Sequence, residues 1–254
     1  MISVGLDLGN SKISCLVCDI NSKGQIKPLS FVTRPTSSIK KSVILDVSKV
    51  KNEVKEIISQ VSKESQTEIA SVRLNVPVIN SLTSYFNSEI SVSNEKISDL
   101  HLKKSVNESE ILDPIDKYRV IHRSIINYEL DKQKNIIDPR GMYGDNLKVY
   151  FYKLAIKENY IKTINAIFEQ LNIYIENFIP SPLSSALATL KKDEKELGSI
   201  SIDLGAGSTS ISVFENNKLI FLDAIPVGGQ NITIDIAKGL STTIESAERL
   251  KTLY

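Results

Sequence analysis

Two stretches of the chain bring a carboxylate, a glycine and small hydroxyl residues together at the end of an apolar segment. The first is Asp7-Leu8-Gly9-Asn10-Ser11-Lys12 and the second is Asp203-Leu204-Gly205-Ala206-Gly207-Ser208-Thr209. Each is followed by a second alternating segment, at residues 13–17 and 210–214, so both predict a β-hairpin with the Asp at the end of its first strand. In such a turn backbone N–H groups and hydroxyls can hold phosphate oxygens, and the carboxylate can orient Mg²⁺ through its water ligands. A single turn of this kind is commonplace. Two in one hydrophobic frame predict a duplicated fold whose halves close on one ligand. A third glycine turn, Val227-Gly228-Gly229-Gln230, precedes a helical pattern, where free backbone donors at a helix start favour phosphate. Glu248 and Lys251 lie three residues apart on one helix face. They could contact a ribose or base edge together, or form an exposed ion pair.

The elements that must position these residues follow one grammar in both halves. After each hairpin a polar turn, at 21–24 and 215–218, leads to a third strand, at 26–32 and 219–225. A helix comes next: Asp46 starts one with apolar positions Val47, Val50, Val54, Ile57, Ile58 and Val61, and Asn231 or Thr233 starts the other. A strand at 71–76 follows the first helix, and the order favours α/β layers. Between the copies, 81–157 reads differently: strand at 83–92, helix at 94–106, strands at 118–130 and 147–157, with a loop at 138–144. That is a small α+β insertion. A helix at 159–171, a strand at 173–179 and a helix opened by Pro182 restore the duplicated scheme. The charged run 191–196 reads as the solvated end of that last helix.

With 41% hydrophobic residues in 254, the chain can bury one large core or two smaller ones. Lys and Arg number 31 against 30 Asp and Glu, so no net charge favours nucleic acid or an anionic membrane. Cys15 and Cys18 have the spacing of a metal or redox pair. Strand alternation points them to opposite faces, and only His101 and His122 could join them, so reduced buried thiols of a cytosolic protein are expected. No basic segment followed by an apolar stretch stands at the start, and no apolar run approaches the roughly 20 residues of a membrane span. The pattern at 245–254 is helical and stops without a cap, which suggests a chain cut inside an element.

On the two hairpins, the Gly228-Gly229 turn with Asp235-Ile236-Ala237, and the helix segment Ala247-Glu248-Arg249-Leu250-Lys251, the sequence resembles the actin/Hsp70/sugar-kinase ATPase superfamily. Within it the chain is similar to the FtsA family of bacterial cell division proteins along its whole length. The insertion sits where that family carries its 1C subdomain. The resemblance implies an actin-like, duplicated (ribonuclease H-like) ATPase fold, with 1–80 and 158–182 as subdomain 1A, 81–157 as an SHS2-like 1C, 183–229 as part of 2A, and 230–254 as the start of a truncated 2B. It implies ATP and Mg²⁺ as ligands. Gly9, Asn10, Ser11, Lys12, Gly205, Gly207, Ser208, Thr209, Gly228, Gly229, Glu248 and Lys251 would contact the nucleotide. Asp7 and Asp203 would hold the metal through water, and Asp203 would also help place an attacking water.

Two departures shape the functional expectation. Where Hsp70-like members carry a carboxylate before the Pro and small-residue helix, this chain has Ser181, whose hydroxyl is a poor base near neutral pH. ATP binding with at most slow hydrolysis is expected. The family also continues past the Ala247–Lys251 helix into the rest of 2B, a final glycine motif and an amphipathic membrane helix, none of which is in this sequence. The implied role is an ATP-binding adaptor on the cytoplasmic face of the membrane at the division site. It would self-associate into filaments, bind the C-terminal peptide of FtsZ and recruit other division proteins through 1C. A PilM-like pilus-assembly adaptor is the runner-up, and a sugar kinase or exopolyphosphatase stands as the enzymatic alternative.

Overall fold

The computed structural model describes residues 1–111 and 116–253. In chain order, β1 (Ile2–Leu8), β2 (Lys12–Ile20) and β3 (Ile26–Pro35) form a meander. A two-residue-arm hairpin, β4 (Ile39–Lys40) and β5 (Val43–Ile44), precedes α1 (Val47–Ser65) and β6 (Ser71–Val76). Next come β7 (Leu82–Lys96), α2 (Asp99–Ile111), β8 (Tyr118–Leu130), β9 (Gln133–Ile136) and β10 (Tyr143–Lys157). Then follow α3 (Glu158–Glu169), β11 (Tyr174–Pro180), α4 (Ser181–Thr189) and α5 (Lys192–Leu197). A second meander, β12 (Ser199–Leu204), β13 (Thr209–Glu215) and β14 (Lys218–Ile225), leads to α6 (Gly229–Gly239) and α7 (Ile244–Leu253).

The first half is a five-stranded sheet in the order β11-β6-β1-β2-β3, with β6 parallel to both β1 and β11. Strand alternation sends Val4, Leu6 and Leu8 to one face, where they pack with Ile13, Cys15 and Val17. The apolar stripe of α1 closes over them with Val50, Val54, Ile57 and Val61, and α3 adds Ile161, Ile164, Ile167 and Phe168. The Asp46 side chain caps α1, accepting from the Lys49 N–H at 2.9 Å. Both cysteines are buried as free thiols, and burial pushes Cys15 up to about 12.

The internal repeat extends to register. Asp7 pairs with Ser14 and Leu8 with Ile13, while Asp203 pairs with Ser210 and Leu204 with Thr209. Packing differs between the copies. Ile200, Ile202 and Leu204 occupy the positions of buried Val4, Leu6 and Leu8, yet all three are exposed, on the edge strand of a three-stranded sheet.

The insertion is an antiparallel sheet in the order β7-β10-β8-β9. One face packs Ile90, Val92, Val149 and Phe151 under α2. The other docks on β14, the opposite edge of the second meander. The buried Tyr152 hydroxyl accepts from the Leu222 N–H at 2.9 Å and lies 3.2 Å from the Leu222 carbonyl as donor. Tyr85 and Ser124 donate to the carbonyls of Ile220 and Leu219. Lys218 stands 5.2 Å from the centroid of the Tyr128 ring.

Several boundaries differ from the sequence expectation. Residues 94–96 continue β7 instead of starting a helix, because Glu95 and Lys96 pair with Gly144 and Tyr143, which extends β10 into the expected loop. The run 191–196 does not end α4. That helix stops at Thr189, Leu190 is extended, and α5 is a separate short helix whose Glu194 side chain accepts from the Lys191 N–H at 2.7 Å. Helix α6 begins at Gly229, and α7 starts at Ile244; Tyr254, expected in it, lies outside the described residues.

Replacing Tyr152 with Phe would strip partners from both backbone groups of Leu222 in a buried seam. The variant is expected to lose about 1–3 kcal/mol of stability. Urea unfolding should show this as a lower midpoint at unchanged slope; an unaltered midpoint would mean that the hydroxyl does not hold the seam.

Candidate functional site

The two hairpin tips meet. A Cβ on Gly207 would fall 2.8 Å from Asn10 Cγ, so only glycine lets the second tip lie against the first. Gly9 and Gly205 turn equally tightly: a Cβ on them would fall 2.6 Å from the Lys12 carbonyl and 2.9 Å from the Ser208 carbonyl. Among the described residues the N–H groups of Asn10, Ser11, Ala206 and Gly207 have no hydrogen-bond acceptor. Four backbone donors at touching turns form a concave cradle suited to an anion.

At the third glycine turn the donors are already engaged. The Gly229 N–H donates to the Gly205 carbonyl at 2.9 Å and that of Gln230 to the Ala206 carbonyl at 2.8 Å, while the Gly228 N–H is taken by the Asn231 side chain at 3.0 Å. A Cβ on Gly228 would fall 2.5 Å from the Gly205 carbonyl. The free donors expected at this helix start are thus spent on clamping α6 to the second hairpin, and the glycines make that close approach possible.

Above the tips opens a cavity of about 1110 Å³, walled by Ser11 from the first half and by Ala206, Gly207 and residues of α6 and α7 from the second. Glu248 and Lys251 both line it, and they are also an ion pair at 2.6 Å. Lys251 donates to the Thr233 hydroxyl at 2.9 Å, and that hydroxyl also bonds Glu248, so the trio staples α7 to α6. These contacts, Lys251 first, hold the Glu248 carboxyl below the usual carboxylate range.

The two carboxylates lie below the tips. Burial raises Asp7 above the ordinary range, a hydrogen bond from Asn75 works against that, and the nearby charge of Asp203 raises it further. The start of α4 ties both sides together: Ser184 donates to Asn75 at 2.7 Å and Ser185 to Asp203 at 2.6 Å. Ser181 shares a recess of about 50 Å³ with Asp203, Gly205 and Ser208. Among the described residues no three His, Cys, Asp or Glu side chains gather as a direct metal shell. Two half-buried like charges with few protein ligands suit a hard cation that keeps most of its waters.

Residues 80–154 match the model of the SHS2 domain inserted in FtsA, and residues 200–254 match the model of cell division protein FtsA. Curated FtsA proteins align along nearly the whole chain: that of Agrobacterium fabrum is 28% identical over 98% of this chain, and that of Bacillus subtilis 28% over 98%. The chain belongs to the FtsA family. It spans 58% and 57% of those relatives' lengths, respectively. In three dimensions this FtsA-family chain is similar to the PilM-PilN type IV pilus biogenesis complex (TM-score 0.64, 16% identity, 98% of this chain and 69% of that one). It is also similar to MreB5 of Spiroplasma citri bound to ADP (0.51, 13%, 98% and 61%). These likenesses show an actin-like fold, here with an SHS2 insertion.

Among the residues expected to act, the fold gathers Ser11, Gly207, Glu248 and Lys251 on the cavity wall, with Asn10 against Gly207. Ser208 lies on the Ser181 side of the hairpin, the Thr209 hydroxyl is spent on the Val227 carbonyl at 2.7 Å, and Lys12 acts on Asp7 through charge alone. Sequence reasoning missed Asn75, Ser184 and Ser185. The serines just after Pro182 at a helix start were the available signal.

Because its pKa in the fold is raised, Asp7 costs stability once ionised: the penalty is absent at low pH and grows as pH rises through the folded value. An Asp7→Asn chain should therefore melt higher than the parent at pH 7, with the difference vanishing below the carboxylate range. Equal melting temperatures at pH 7 would remove this electrostatic account.

Proposed function

We propose that this chain carries the nucleotide-binding core of an FtsA-type cell division adaptor, taking ATP with Mg²⁺ between its two halves. The observation that carries the reading is the cradle of four unspent N–H donors at touching hairpin tips, set over two like-charged carboxylates and under a large cavity. The tip amides of Asn10, Ser11, Ala206 and Gly207 would receive phosphate oxygens. Asp7 and Asp203 would hold Mg²⁺ through water, and Mg²⁺ supplies neutralisation of the phosphate charge. Glu248 and Lys251, fixed by Thr233, would face the nucleoside.

Ser181 beside Asp203 offers no ionisable base for water attack, which supports a ligand-driven switch with slow turnover. Nucleotide bound between the halves favours the closed arrangement by its differential affinity, and subunit contacts can read that closure. The whole protein's role would be to form filaments on the cytoplasmic face of the membrane at the division site, bind the C-terminal peptide of FtsZ and recruit later division proteins through the insertion.

Asp203→Ala is expected to weaken Mg-ATP binding at least about tenfold by calorimetry, the scale of one lost charge-assisted contact; unchanged affinity would sink the metal role. For the adaptor role, the full-length protein should retain an FtsZ C-terminal peptide on a column. Failure to do so, with capture of a pilus-assembly peptide instead, would favour a PilM-type adaptor.

A further inference from the structure

The cavity has a second charged wall, which comes from the first half. The β4–β5 hairpin turns through Lys41 and Ser42, both in the left-handed region at φ 46° and 62°. Such a turn is served best by Asn-Gly, and neither residue is glycine. The turn is fastened to the site: the Ser42 N–H donates to Asn10 Oδ1 at 2.7 Å, and Asn10 is the residue on which Gly207 rests. Lys40 and Lys41 consequently line the cavity opposite α6 and α7, next to Ser11.

Both lysines are exposed, and among the described residues neither has a hydrogen-bond or ion-pair partner. Across the cavity Glu248 is already paired with Lys251, and Arg249 adds a further cation without a partner among the described residues. Over the whole lining four cations, Lys40, Lys41, Arg249 and Lys251, face two anions, Glu245 and Glu248; the charges on α7 balance, so the excess comes from Lys40 and Lys41, on the side of Ser11.

We propose that Lys40 and Lys41 are phosphate-binding residues, a cationic jaw that reaches over the polyphosphate of the nucleotide from the first half. This rests on the nucleotide reading above. Each ammonium is a mobile point charge on a long stem, so the pair can follow a chain of phosphates without fixing its geometry. The jaw makes affinity grow with the number of phosphates, and it adds a contact from the half opposite to α6 and α7.

The test is calorimetric titration of the protein with ATP, ADP and adenosine in the presence of Mg²⁺. The parent is compared with Lys40→Gln/Lys41→Gln and with Lys40→Arg/Lys41→Arg. The Gln pair is expected to weaken ATP at least about tenfold. It should weaken ADP less, leave adenosine unchanged, and flatten the salt dependence of ATP binding. The Arg pair should restore most of the loss, and unchanged thermal melting would show that the exposed lysines do not hold the fold. Equal loss for ATP and adenosine, or no loss at all, overturns the jaw while leaving the nucleotide site standing. A parent protein that binds none of the three ligands overturns both.

Discussion

Two carboxylates of like charge, Asp7 and Asp203, are held near each other beneath a pair of tight turns, and most of the architecture serves to keep them there. The repulsion is tolerated because each is braced from a different direction. Asn75, on the strand parallel to β1, bonds Asp7, and α4 contributes Ser184 to Asn75 and Ser185 to Asp203. A single helix start therefore touches both halves at the point where they oppose. The large α1–α3 core packs one whole face of β1, through Val4, Leu6 and Leu8, and so fixes the strand that carries Asp7. Like charges held at close quarters are the kind of arrangement that perturbs titration and that functional sites often use.

The features legible in the sequence were those written as local periodicity. The two Asp-Gly hairpins, their alternating strands and the α1 stripe from Val50 to Val61 all obey a fixed spacing, and each stands where the spacing put it. Features that depend on who meets whom in space were not legible. The strands β4 and β5, of two residues each, are too short for alternation to stand out, and β9 is mostly polar: Gln133-Lys134-Asn135 reads as turn until Ile136 finds Tyr128. The Gly228-Gly229 turn looked like a set of free donors, because nothing local tells that the Gly205 and Ala206 carbonyls arrive to take them. In the site, glycines and hydroxyls at the tips were readable, whereas Asn75 and Ser184 act only through a long-range contact.

Sequence duplication also concealed a difference in packing. Equivalent residues in β1 and β12 share type and register, yet one set is sealed under two helices and the other faces solvent. Apolar alternation sets which face a strand would bury; whether a covering layer is present is a property of the rest of the fold.

The seam formed by Tyr152 with Leu222 has a mechanical meaning. The inserted sheet is joined covalently to the first half at both of its ends, and its face is bonded to the outer strand of the second half. The molecule is therefore a closed linkage of three bodies, with α4 as one joint and the Tyr152 seam as another. In a closed linkage no body turns alone: a rotation that narrows the cleft must shift the inserted sheet or shear its seam. The angle between the halves and the seat of the inserted sheet on β14 are thus geometrically tied.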